Sequence, residues 1–125
     1  MIEVYNYRFK KDKIDGYING KEYLNKKKKL EAYLEGNNFF QGADLLLILR
    51  EDGIITYSDG DEQGHIEDGK IYTYQGGGLL FEFSKDDGKI YDSDKNIVLE
   101  LRGNTEELDD LDFFGIAGYF LELFA

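Results

Sequence analysis

Gly88-Lys89-Ile90-Tyr91-Asp92-Ser93-Asp94-Lys95-Asn96-Ile97-Val98-Leu99-Glu100-Leu101 is the stretch from which the architecture follows. It opens on Gly-x-x-aromatic, passes through a polar cluster at Asp92-Ser93-Asp94, and closes on apolar residues at 97, 99 and 101. Apolar side chains at every second position predict a strand with one buried face. Asp and Ser side chains that bond their own backbone predict the turn. The stretch therefore reads as a β-hairpin.

The same grammar recurs upstream. Apolar alternations fall at Ile14-x-Gly16-x-Ile18, Leu30-x-Ala32-x-Leu34, Leu45-x-Leu47-x-Leu49, Glu62-x-Gly64-x-Ile66 and Leu79-x-Phe81-x-Phe83, with Ile97-x-Leu99-x-Leu101 the last. Their final positions are spaced by 16, 15, 17, 17 and 18 residues. Between them stand Gly20-Lys21-Glu22-Tyr23, Gly36-Asn37-Asn38-Phe39, Gly69-Lys70-Ile71-Tyr72 and Gly88-Lys89-Ile90-Tyr91. Gly53-Ile54-Ile55-Thr56-Tyr57 has one residue more, read as a bulge. Polar turns are expected at Lys10-Lys11-Asp12, Asn25-Lys26-Lys27, Ser58-Asp59-Gly60-Asp61, Gln75-Gly76-Gly77-Gly78 and Asp92-Ser93-Asp94. Asn19-Gly20, Glu35-Gly36, Asp52-Gly53, Asp68-Gly69 and Asp87-Gly88 supply the turns between copies, a strong short-range hairpin signal.

A lone hairpin is marginal in water, so the copies must share a core. With no proline in the chain to guard an edge, closure is the arrangement that removes exposed edges. The fold class expected is mainly β: about five or six antiparallel hairpin repeats over residues 1–103, closed around an axis, with a C-terminal apolar helix in 104–125 packed on or capping them. Tyr23, Phe39, Tyr57, Tyr72 and Tyr91 would occupy equivalent places, as core and rim packing or as a ring of phenols stacking on a sugar or base.

These residues resemble the β-flower proteins, small bacterial proteins in which four or five copies of a short hairpin surround a central axis. Their unit, roughly Gly-x-Ile-Tyr-Asp, a turn, then Ile-Gly-Tyr-Ile, is matched best by Gly88–Asp94 with Ile97-Val98-Leu99. Gly69-Lys70-Ile71-Tyr72 matches its first half, and Gly16-Tyr17-Ile18 and Gly64-His65-Ile66 its second. The similarity covers about residues 2–103, with six units counted here, and some members also end in a short apolar tail. The family brings no activity or site residue with it.

From Asn104 the alternation stops. Asn104 or Thr105 is placed to cap a helix whose first turn holds Glu106, Glu107, Asp109 and Asp110. The thirteen residues Phe113–Ala125 would reach about 20 Å as helix, short of a hydrocarbon core of about 30 Å. Apolar groups lie on nearly every side, and a helix apolar all round must be buried somewhere. Three burials are open: against an open end of the β structure, against a second copy with Gly115 and Gly118 allowing close approach, or in a membrane surface or a partner's groove. Phe113, Phe114, Ile116, Tyr119, Phe120, Leu123 and Phe124 are the candidate interaction surface.

Charge bounds the partners. The 125 residues carry 15 basic and 26 acidic side chains, net −11. Residues 1–34 hold nine basic and five acidic groups (+4), and residues 35–125 hold six and 21 (−15). Such a chain repels a phosphate backbone, so no nucleic-acid partner is expected, and a membrane surface is disfavoured, since the tail carries acid without Lys or Arg. Lys26-Lys27-Lys28-Lys29 reads as a solvated turn. No cysteine is present, which excludes disulfides, thiolate zinc sites and a cysteine nucleophile. No secretory signal opens the chain, so a cytoplasmic setting is the expectation.

No catalytic or metal motif in the sequence is complete. Asp59-x-Asp61-x-Gln63-Gly64 begins like an EF-hand loop, but Lys70 stands where the bidentate Glu belongs. Asp92-x-Asp94-x-Asn96 has Ile97 where Gly is needed. His65, the only histidine, alternates with inward Gly64 and Ile66 and so points outward. No catalytic residue, metal ligand or cofactor is expected. The function expected is a non-enzymatic binding or assembly module that engages a protein partner or a second copy through its C-terminal helix. The alternative is an acidic antagonist, of the immunity-protein kind, blocking a basic toxin or nuclease; a hydrolase using surface carboxylates ranks third.

Overall fold

The computed structural model describes residues 1–9, 12–74 and 76–125. Lys10, Lys11 and Gln75, expected in turns, lie outside the described residues. Twelve strands run in chain order: β1 Ile2–Asn6, β2 Ile14–Asn19, β3 Glu22–Asn25, β4 Leu30–Glu35, β5 Asn38–Gln41, β6 Asp44–Leu49, β7 Ile54–Tyr57, β8 Glu62–Glu67, β9 Lys70–Thr73, β10 Leu79–Ser84, β11 Lys89–Asp92 and β12 Ile97–Arg102. Each pairs antiparallel with its neighbours in sequence, and β1 pairs with β12, so the sheet closes into a barrel. One helix, α1 Asp110–Phe120, follows. The expected class, mainly antiparallel hairpins closed about an axis with a C-terminal helix, is the architecture observed.

Closure of twelve strands explains where the helix lies. Eight strands leave an interior just wide enough for side chains to fill; twelve leave room for more. Helix α1 occupies that room, with Phe113, Phe114, Gly115, Ile116, Ala117, Gly118 and Phe120 all buried. It touches β4, β5, β6 and β8, and its rings pack against Phe83 of β10 and Tyr23 of β3. A helix without a polar face is thereby satisfied on every side. Strand and helix side chains trade volume across the contact. Phe120 lies over the bare backbone of Gly16, and Phe124 over that of Gly64. Conversely, a Cβ at Gly118 would sit 3.1 Å from the Phe39 ring.

The helix starts later than the capping residues read from sequence. Asp109, not Asn104 or Thr105, is the N-cap: its carboxylate accepts from the Asp112 amide at 2.9 Å, and Asp112 returns the bond to the Asp109 amide at 3.2 Å. The Thr105 hydroxyl is already committed, donating to the Lys85 carbonyl at 3.1 Å and tying the tail to the β10–β11 turn. Asp110 and Asp112 therefore supply the acid in the first turn. The helix ends at Phe120, and Glu122 and Phe124 take positive φ.

Two details of the alternation also differ. In each of six strand pairs the register skips one residue: Asp15, Glu31, Leu46, Gln63, Leu80 and Val98 are left unopposed. A bulge interrupts the two-residue period, so the first member of each apolar triplet turns away from the core. Leu30 is 52% exposed, whereas Ala32 and Leu34 are buried. Leu80 and Val98, one residue after Leu79 and Ile97, pack with the core instead. The bulge expected at Gly53–Tyr57 is therefore on β8, since β7 pairs with β6 without a break.

The repeated aromatics are not equivalent. The carbonyls of Lys21, Asn37, Gly53, Gly69 and Gly88 accept from Leu34, Leu49, Ile66, Phe83 and Leu101 in turn. Lys21 and Asn37 thus stand where glycine stands in the later turns. Between Asn19 and Glu22 the glycine is the first turn residue; between Glu67 and Lys70 it is the second. One step of offset swaps the faces. Tyr23 and Phe39 point inward, while Ile55, Ile71 and Ile90 take that place further on, all at 0% exposure. Tyr72 then stacks on His65 (ring centroids 4.8 Å apart) and Tyr91 donates to Asp87 (2.7 Å) on the outer wall.

Candidate functional site

Both ends of the helix are held by the barrel. At its start, the Lys21 ammonium lies 2.5 Å from the Asp112 carboxylate and the Gly69 amide donates to Asp110 at 2.9 Å. Burial raises the Asp109 carboxyl, but the bonds with Asp112 and the nearby Lys21 outweigh it and hold the group below the usual carboxylate range. At its finish, the helix has no basic residue of its own. The β1–β2 segment supplies one. Arg8 donates to the Phe120 carbonyl at 2.8 Å and to the Leu121 carbonyl at 3.5 Å, and the buried Asn6 amide donates to Phe120 at 3.1 Å. A cation and donors at the last carbonyls complement the negative end of the helix.

Beyond this latch the tail Leu121–Ala125 crosses the barrel end that carries the longer turns, and beside it opens a pocket of about 700 Å³. Its apolar wall is formed by Phe39, Leu47, Leu123 and Phe124. Three bulge residues, Asp15, Glu31 and Leu46, line it from consecutive hairpins, because the bulges turn them toward the mouth. Tyr119 donates to Glu31 at 3.0 Å and Tyr57 donates to the Phe124 carbonyl at 2.8 Å. Burial, and then the bond to Glu31, pushes the Tyr119 hydroxyl above the ordinary tyrosine range. Glu122 and Phe9, the latter 71% exposed, complete the edge.

The seven residues read from sequence as an interaction surface are distributed differently. Phe113, Phe114, Ile116, Phe120 and Leu123 are buried within the barrel, so they form core rather than an open face. Tyr119 and Phe124 are partly buried and reach the pocket, as do Phe120 and Leu123 along one edge. Arg8, Asn6, Asp15, Glu31 and Leu46 were not singled out by sequence. For Asp15, Glu31 and Leu46 the signal is the extra residue in each apolar triplet, invisible while the strand is taken as unbroken; Arg8 and Asn6 belong to no triplet.

The remaining motifs have structural employment. Asp59 accepts from the Asp61 amide, and Asp92 from the amides of Asp94 and Asn96, so both cap their own turns. Asn25 does the same for Lys27 and Lys29, and Lys26–Lys29 form an exposed turn. Among the described residues no group of three or more His, Asp or Glu is arranged to hold a metal, and no helix is long and apolar enough to cross a membrane.

No protein-family model, curated protein or solved structure matches the chain.

Proposed function

We propose that the protein is a non-catalytic binding module: six copies of one hairpin, of the β-flower kind, closed around their own C-terminal helix, receiving part of a protein partner at the mouth. The observation that carries this reading is the pocket of about 700 Å³, which has an apolar wall and three carboxylates, Asp15, Glu31 and Glu122, around it. The polar groups beside it are engaged in holding the tail, as Arg8, Asn6 and Tyr57 are, which suits a rigid receptor. The charge of the wall favours a partner that offers an apolar side chain flanked by Lys or Arg. An acidic antagonist of a basic protein is the narrower form of this reading, favoured by the −15 of residues 35–125.

Titration of isotope-labelled protein with a 12-residue peptide of alternating Leu and Lys tests it. Amide shifts should concentrate at Leu46, Tyr119 and Phe124, and Glu31→Lys should weaken binding about tenfold, a loss of about 1.4 kcal/mol. Shifts scattered away from the mouth, or affinity indifferent to Glu31→Lys, would remove the reading.

A further inference from the structure

We propose that two copies of this chain associate through the outer wall of β2–β6, a surface separate from the mouth and independent of what binds there. The outward residues of neighbouring strands line up in diagonal rows of three. Tyr17 opposes Leu24, and Leu24 opposes Leu30; Tyr33 opposes Phe40, and Phe40 opposes Leu45. All six residues are apolar or aromatic, with one glutamate opposing the first of each row, Glu3 at Tyr17 and Glu22 at Tyr33. The rows are adjacent, and the Tyr33 and Phe40 rings stack with centroids 5.2 Å apart.

At the same three positions the other rows each carry a polar member. They read Ile48, Thr56 and Glu62; His65, Tyr72 and Leu79; Glu82, Tyr91 and Ile97; Glu100, Tyr5 and Ile14. That side is also knitted by ion pairs, Lys70–Glu82 and Arg102–Glu100 among them. One side of the barrel is thus finished for water, and the other presents an apolar area spanning five strands, roughly 20 Å across at the usual strand spacing. Within it Leu30 is exposed, Tyr17, Tyr33, Phe40 and Leu45 are partly buried and Leu24 is covered by its neighbours. A patch of that extent marks a contact surface.

Charge identifies the occupant. Lys26–Lys29 stand at one end of β3 and β4, with the Lys28 ammonium 5.1 Å from the Tyr17 ring centre. Glu22 and Glu35 stand at the opposite ends of the same two strands. A patch positive at one end and negative at the other is complementary to itself when turned about a two-fold axis. Each lysine turn then meets the glutamates of the second copy, and the apolar rows meet in between, as an isologous interface requires. The far wall, where residues 62–102 carry nine acidic and five basic side chains, points away from the contact.

Light scattering on the full chain at 0.15 M salt and about 100 µM should return twice 14.4 kDa. Leu30→Asp, at a position already half in water, should return the monomer mass with an unchanged melting curve. Leu79→Asp, on the finished side, should leave the dimer intact. Lys27→Glu with Lys28→Glu should weaken association at least tenfold, and Glu22→Lys with Glu35→Lys added to it should restore it. A monomer at that concentration, or a dimer indifferent to Leu30→Asp, overturns the proposal. So does a monomer that binds a single-stranded 12-mer RNA through Lys26–Lys29, which would assign the aromatic wall to base stacking instead.

Discussion

The hydroxyl of Tyr23 occupies the space in which Gly115 would carry a side chain. A Cβ built on Gly115 falls on that oxygen, with the tyrosine ring carbon and Leu34 within 2.9 Å. The hydroxyl is buried and has no hydrogen-bond partner among the described residues. Burial, with Asp112 and Asp109 near, drives it far above the ordinary tyrosine range. Helix and strand have been fitted by removing atoms from one and tolerating an unsatisfied oxygen on the other.

Tyr23→Phe should therefore stabilise the protein. It removes a desolvated hydroxyl that makes no bond while keeping the ring that packs on Phe39 and Phe120. A gain of about 1 kcal/mol in chemical denaturation is expected. A loss of similar size would mean that the oxygen has a partner.

Gly115→Ala should do the opposite. Alanine favours helix by about 1 kcal/mol, but overpacking costs about 1–3 kcal/mol, and here the opposing atoms are a rigid ring and Leu34. Net destabilisation is expected, partly relieved when Tyr23→Phe is added. Strict additivity of the two changes would show that the residues do not touch.

Arg8→Ala should release the tail without unfolding the barrel. Amide exchange at Leu121, Leu123 and Ala125, whose backbone bonds return to Ala117 and Glu122, is expected to speed up, while Ile55, Ile71 and Ile90 keep their protection. Uniform acceleration would show that the latch supports the whole fold.

Stability should decline at both pH extremes for separable reasons. The Asp109 carboxyl titrates below its ordinary value near 3.8 in the folded state. Its contribution is complete above about pH 4 and is lost as pH falls through the depressed value. Asp109→Ala should cost about 1 kcal/mol at neutral pH and flatten that acid limb. Tyr119 titrates above its ordinary value of 10.0, so its contribution is complete below pH 10 and is lost as pH rises further. Tyr119→Phe should flatten the alkaline limb, and a stability profile unchanged by either substitution would contradict these assignments.

Truncation after residue 103 should leave no cooperative fold. Without α1 the rings of Phe39 and Phe83 face an empty lumen, and a dye-binding, broadly melting species is expected. A sharp thermal transition from that fragment would show that the sheet fills its own interior.

The strands were legible because apolar side chains recur every second residue from Ile14 to Leu101, and Asp-Gly marks the connections at 52–53, 59–60, 68–69 and 87–88. The inward facing of Tyr23 was not distinguishable from the outward facing of Tyr72, since both follow Gly-x-x. What separates them is which residue of the turn the glycine fills, and that depends on strand pairing. The bulges at Asp15, Glu31 and Leu46 were hidden for a related reason: Leu45-x-Leu47-x-Leu49 looks like unbroken alternation whether or not Leu46 is opposed. The helix was legible as a segment needing burial on all sides. Its place was not, because the width of the lumen is a property of the number of strands that close. The latch between Arg8 and Phe120 joins positions 112 residues apart and has no local signature.

The seam between β1 and β12 joins the two ends of the sheet, and the helix that fills the barrel comes after β12. A ribosome must therefore complete Arg102 before the ring can shut, and Phe120 before its interior is dry. At ordinary translation speeds this takes on the order of ten seconds. Throughout that interval the earliest strand to emerge keeps one bare flank of amides and carbonyls, the kind of template that a neighbouring nascent chain can pair with.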